Sequence, residues 1–181
     1  MTEAERRFAR WRREPDPGPG YTQIPADGGC LSAFLIVREA SSSPRVLLGT
    51  PHPSADWNRM GALEPSRLSR LSGRLMLPSC HLIEYESPQE AAARIASEQL
   101  GLVDLPLAGP EVVSEAYARP GAPDRHWDLD FLFRANWPAA RTLSSPNWSH
   151  LEFADPRTLP RARFARAHDD ILRFAGYATA D

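Results

Sequence analysis

One stretch of the chain, LPSCHLIEYESPQEAAARIASEQLGL (77–102), sets acids and a base at regular intervals. Within it Glu90, Arg94 and Glu98 stand four residues apart, the spacing that puts side chains on one stripe of a helix. Carboxylates on such a stripe, beside a loop rich in backbone N–H groups, suit a Mg2+ ion shared with a diphosphate, because Mg2+ takes oxygen ligands together with substrate phosphates. The plainer alternative is a surface stripe joined by two helix ion pairs of about 0.3–0.5 kcal/mol each. On spacing alone the plainer alternative is preferred.

Two further groups could carry chemistry. Residues 51–73 form a long connection holding Trp57, Arg59, Arg67 and Arg70, a set that suits an anionic ligand with a stackable ring. Connections of this length inside a domain are often functional, although arginines at helical spacing also make an ordinary solvated face. His126, Asp128 and Asp130 alternate along one strand face that could oppose the helix across a cleft as auxiliary acids, although paired strand carboxylates are more often met by arginines, of which this chain has many. His52, His150 and His168 form no metal pattern, and His168-Asp169-Asp170 reads as a solvated face.

These residues need elements to hold them. Ser87 is a plausible N-cap, Pro88 takes the first helical position and Glu90 completes a capping box, so the spacing predicts one helix over 87–100 ending at Gly101. CLSAFLIVRE (30–39) and RVLLGT (45–50) predict a hairpin, RLMLP (74–78) a short strand, and 111–119, 126–137 and 151–156 three more. Glu64–Pro65–Ser66 could open a helical turn that places Leu63, Leu68 and Leu71 inward. RARFARAHDDILRFAGY (161–177) predicts a terminal amphipathic helix with Phe164, Ala167, Ile171 and Phe174 inward. The order gives an α/β (α+β) class, a mixed β-sheet between helices. Residues 1–20 are read as an N-terminal helical arm, with Ala4, Phe8 and Trp11 on one stripe, followed by a Pro/Gly linker; residues 21–181 are the domain.

Composition sets the limits. With 181 residues, 42% of them hydrophobic and 24% charged, the chain is an ordinary globular domain and needs no disulfide or zinc staple. A net charge of −2 argues against nucleic acid as a partner. All 21 basic residues are arginine, which excludes lysine Schiff-base chemistry and a phosphate-loop lysine. Cys30 and Cys80 have no metal spacing and are expected to be free thiols in a reducing cytoplasm. No apolar run approaches the roughly 18 residues that span a bilayer, and no signal peptide is visible.

The segment 77–102 resembles the Nudix box, the signature of Nudix hydrolases, G-x5-E-x7-R-E-U-x-E-E-x-G-U with U aliphatic. Glu86, Arg94, Glu98, Gly101 and Leu102 match it; Cys80 replaces the first glycine, Ile95 the glutamate after the arginine, and Gln99 the second glutamate of the adjacent pair. LP (77–78), His81-Leu82 and the element order over about 28–177 read like the family as well. The resemblance implies hydrolysis of a nucleoside diphosphate linked to another moiety, with Mg2+ or Mn2+ bound weakly and with the help of the substrate. It implies Glu98 as metal ligand, Gln99 as a neutral auxiliary, Arg94 orienting the carboxylates and Glu86 supporting the loop. The expected partner is a small nucleotide or diphosphate, with a homodimer as a compatible assembly. The replaced carboxylates open a second reading, a Nudix-fold nucleotide-binding or regulatory module without turnover.

Overall fold

A computed structural model describes residues 10–11, 29–40, 42–62, 68–71, 73–83, 85–118, 125–165 and 168–177. Among these residues seven strands form one sheet: β1 (Arg10–Trp11), β2 (Gly29–Arg38), β3 (Val46–Pro51), β4 (Ser79–His81), β5 (Ala108–Ala118), β6 (Arg125–Asn136) and β7 (Trp148–Ala154). The main path runs β5-β6-β2-β3-β7, with β1 and β4 also paired to β2. The sheet is mixed, as expected. β2 runs parallel to β6 over ten registered pairs, Gly29↔Trp127 to Arg38↔Asn136, and antiparallel to β1, β3 and β4.

β2 is buried along nearly all its length, which is what its unbroken run of apolar residues requires of a central strand. Alternation then sorts its side chains. Ala33, Leu35 and Val37 pack with Ala91, Ala92, Ile95 and Ala96 of the box segment, whereas Phe34 and Ile36 pack with Ile171 and Leu172 of the C-terminal helix. Helices thus lie on both faces: α1 (Pro88–Arg94) on one and α2 (His168–Phe174) on the other.

Several sequence expectations shift. The arm predicted as a helix lies mostly outside the described residues; its two described residues, Arg10–Trp11, pair as a strand with Cys30 and Gly29. The strand predicted at 74–78 forms instead just after it, at Ser79–His81, because Phe34 to Ser32 of β2 pair there; Leu75 and Met76 make only isolated bridges. The turn at 63–67, including Leu63 and Arg67, lies outside the described residues. The last helix is shorter than predicted, since Arg161–Arg163 forms a separate 3-10 turn. Phe164 and Ile171 are buried, but Phe174 is exposed. His168 and Asp169, read as a solvated face, are buried: the His168 Nδ1 accepts from the Leu77 N–H at 3.1 Å, and Asp169 pairs with Arg161 at 2.5 Å.

Candidate functional site

The box segment starts as its sequence dictates. Ser87 accepts from the Glu90 N–H and Glu90 accepts from the Ser87 N–H, with Pro88 at the first position. The hydrogen bonds from Ser87 hold the Glu90 carboxyl below its usual range. After Arg94 the helix changes. Ile95–Gln99 is a π turn, so the segment is not the uniform helix its periodicity predicts. Gly101, at φ +67°, then turns the chain out of the helix, a backbone region open to glycine.

Arg94 is the hub of the box. Its Nε donates to Glu86 Oε1 at 2.7 Å and its Nη2 to Glu86 Oε2 at 2.8 Å, a two-pronged pair whose side chains are 10% and 11% exposed. The same guanidinium donates to the carbonyls of Met60 (3.0 Å) and His81 (2.9 Å) and to Cys80 Sγ (3.3 Å). Glu86 Oε2 also accepts the Ile83 N–H at 2.8 Å. Burial opposes the Arg94 charge, but the Glu86 hydrogen bonds and nearby negative groups outweigh it and leave its pKa raised. Arg94 therefore ties the connection at Met60, strand β4 and the loop before the helix into one frame. Its partner is Glu86 and not the helix neighbour Glu90, so the expected Glu90–Arg94 ion pair gives way to a cap and a clamp.

Cys80, where the resembling box has glycine, fills space beneath this frame. Burial pushes its thiol up to about 12, offset in part by Arg94, so the sulfur is neutral near pH 7. Cys30 and Cys80 are both buried free thiols.

The positions where the resemblance has further carboxylates face inward. Ile95 is fully buried and packs in the core with Ala33, Leu35 and Trp57. Gln99 is 1% exposed; its Nε2 donates to the Ser79 carbonyl at 2.7 Å, and its buried Oε1 accepts no hydrogen bond among the described residues. Glu98 remains partly exposed, with Arg59 Nη1 at 3.9 Å from its Oε1. No three histidines, cysteines, aspartates or glutamates among the described residues group as a metal site. Among the described residues a divalent ion at Glu98 would meet one carboxylate beside a guanidinium, a donor set that does not fit Mg2+ or Mn2+.

Of the two residues of the proposed ligand clamp whose side chains are described, Trp57 and Arg59, the structure brings Arg59 beside Glu98 of the helix. Trp57 is buried in the core, its Nε1 donating to the His52 carbonyl at 2.9 Å and its ring meeting Trp148 edge-on at 4.7 Å. The backbone of Arg70 lies in the 3-10 turn Ser69–Leu71, and Arg67 lies outside the described residues. Asp128 and Asp130 do not oppose the helix. Alternation along β6 puts them with Leu132, which packs on the α2 side of the sheet, while the box helix packs on the other.

A group that sequence reasoning missed holds the end of the box. Ser145 Oγ and Trp148 Nε1 donate to the Gln99 carbonyl at 2.6 and 3.0 Å, Asn147 Nδ2 to the Glu98 carbonyl at 2.7 Å, and Arg141 to the Gly101 carbonyl at 2.9 Å. These donors satisfy carbonyls that the end of a helix leaves unpaired. Gly49 admits Trp148: a Cβ there would lie 2.3 Å from the indole ring. The only local cue was a loop rich in serine and asparagine, SSPNWSH (144–150).

No family model and no curated protein matches the sequence. Solved structures do resemble it. A Nudix hydrolase from M. smegmatis, RenU, is 19% identical over 88% of this chain and 95% of that one, with a TM-score of 0.53. The Nudix domain of Shewanella oneidensis NrtR, complexed with ADP ribose, is 16% identical over 89% and 91%, also at 0.53. A MutT Nudix hydrolase from Burkholderia pseudomallei is 14% identical over 80% and 96%, at 0.52. With the mixed sheet, the flanking helices and the Glu86–Arg94 clamp, these likenesses establish the architecture: the chain has the Nudix fold.

Proposed function

We propose that this chain is a Nudix-fold module that binds a small nucleotide ligand through its diphosphate without turning it over. One observation carries the reading. The frame built by Arg94 and Glu86 is intact, while two positions that carry helix carboxylates in the resembling box are occupied by a core side chain, Ile95, and an inward amide, Gln99. The ADP ribose held by the NrtR domain supports the ligand class. Arg94, Glu86 and Glu98 shape the site in this reading, and Arg59 supplies its positive charge. Two free cysteines support placement in the cytoplasm. Among the described residues no helix is long and apolar enough to cross a membrane.

The second reading is a weak diphosphate hydrolase, favoured by the retained clamp and by Glu98. A panel of nucleoside diphosphates and nucleotide sugars, with calorimetric binding and formation of the nucleoside monophosphate measured in parallel with and without Mg2+ or Mn2+, separates the two. Saturable binding without cleavage supports the module. Turnover that Glu98→Gln abolishes puts the hydrolase first. No binding by any member overturns both readings.

A further inference from the structure

The loop before the box helix carries a residue whose backbone and side chain are both unusual. Glu86 donates its N–H to the Ile83 carbonyl at 3.0 Å, which makes Tyr85 the third residue of a four-residue turn. Its φ is +68°, a region open to glycine and costly for a bulky side chain. Asp104, also at positive φ, is of a type whose short polar side chain tolerates it. The clamp accounts for the turn. Glu86 faces Arg94 with both oxygens and accepts the Ile83 N–H, so the chain reverses just before it. The clamp does not account for a tyrosine, since glycine or asparagine takes this position at lower cost.

The side chain returns nothing to the folded chain. Tyr85 is 103% exposed and makes no hydrogen bond or ring contact among the described residues. A backbone cost that the fold leaves uncompensated points to a contact outside the chain. Position narrows that contact. Phe174, also exposed, belongs to α2 on the opposite face of the sheet. Tyr85 adjoins Glu86 in the frame that shapes the diphosphate site, where Trp57, the ring expected to stack on a ligand, is buried. An open tyrosine face takes up a flat aromatic ring by stacking.

From this arrangement we infer that Tyr85 is the ring platform of the ligand site, stacking on the aromatic base of a nucleotide whose diphosphate lies against the Glu86–Arg94 frame. The inference rests on the ligand-binding reading above and deepens it: the ligand carries a base, and the site holds the base by its face.

The test is calorimetry on wild type, Tyr85→Gly and Tyr85→Phe with two probes, ADP ribose and inorganic pyrophosphate, with thermal melting alongside. Tyr85→Gly should weaken ADP ribose about fivefold or more, the loss of one base–aromatic stack, and change pyrophosphate affinity less than about twofold. Tyr85→Phe should keep ADP ribose within about twofold, since the ring remains. Without ligand, Tyr85→Gly should melt about 1–3 °C higher, because glycine relieves the turn. Nitration by tetranitromethane gives a check that needs no variant: by peptide mass spectrometry, ADP ribose should protect Tyr85 and pyrophosphate should not. Equal ADP ribose affinity in wild type and Tyr85→Gly overturns the inference and leaves the ligand-binding reading standing. So does a loss for pyrophosphate as large as for ADP ribose, since the turn and not the ring would then be responsible. A melting temperature that falls in Tyr85→Gly shows that the fold uses the side chain and overturns the inference as well. If wild type binds pyrophosphate but not ADP ribose, the inference fails together with the nucleotide. Binding of neither probe overturns both readings.

Discussion

From Ser87 to Arg94 the box helix is held chiefly by groups within residues 80–94, whereas from Ile95 to Gln99 it is held by partners 46 and 49 residues away. The first half is a capped helix whose one arginine is saturated by Glu86 and nearby carbonyls. The second is a π turn with two side chains, Ile95 and Ala96, in the core and an amide bonded to β4. The clamp that shapes the loop is therefore separate from the positions that would supply further charge. One half can keep the geometry of a diphosphate site while the other is given over to packing.

Reinstating charge in the second half is the most severe way to test that division. Ile95→Glu places a carboxylate at a fully buried position lined by alanines and Trp57. We expect a loss of several kcal/mol, more than about 4, for an unpaired charge in the core. Urea unfolding of Ile95→Glu, alone and with Gln99→Glu, checks it. A double variant as stable as wild type, with new diphosphate cleavage, would show that the second half is a disused metal site and not packing.

Arg94→Ala attacks the first half. It strands Glu86, 11% exposed, without its cation and frees two carbonyls, so about 3–5 kcal/mol should be lost. The double variant Arg94→Met with Glu86→Leu should recover much of that loss, because it leaves no buried charge unpaired. If the single variant costs under about 1 kcal/mol by chemical denaturation, Arg94 does not organise the box.

Gln99→Glu tests the amide. The variant replaces the Nε2 donor with an acceptor facing the Ser79 carbonyl, which should cost about 1–3 kcal/mol. Gln99→Met should cost less, since it presents no charge. An unchanged melting temperature for Gln99→Glu would mean that the position accepts a carboxylate, and the comparison between halves would lose its sharpest element.

The smallest effect is at the cap. Ser87→Ala should cost about 1 kcal/mol near neutral pH, measured by chemical denaturation. The direction with pH follows from Glu90, whose carboxyl is held below the ordinary 4.5 by Ser87. Its contribution is present above that value and is lost as pH falls through the lower, folded-state pKa. The gap between wild type and Ser87→Ala should therefore narrow in acid. A gap that widens below pH 4.5 would reverse this assignment.

Much of the architecture was legible because it is written in local terms. Ser87, Pro88 and Glu90 specify a helix start through contacts within four residues, and the apolar run of β2 specifies a central strand by its composition alone. The motif at Glu86, Arg94, Glu98 and Gly101 pointed to the fold, which the mixed sheet bears out. Failures came where distant groups decide. Trp57 is identical in sequence terms whether it stacks on a ligand or on Trp148, and only packing made it a core residue. Asp128 and Asp130 were placed on the correct strand, but which side of the sheet receives the box helix is settled by the whole assembly.

The sequence by itself therefore determined the capped start of the box helix, the central strand and the absence of two carboxylates, because propensity, periodicity and residue identity are properties of the chain. Tertiary structure alone decided that Arg94 clamps Glu86 and not Glu90, that Gln99 turns inward, and that Arg59 stands beside Glu98. The physical reason is competition for partners. A guanidinium has five donors and an amide two, and which acceptors they reach depends on backbone brought together from segments far apart in the chain.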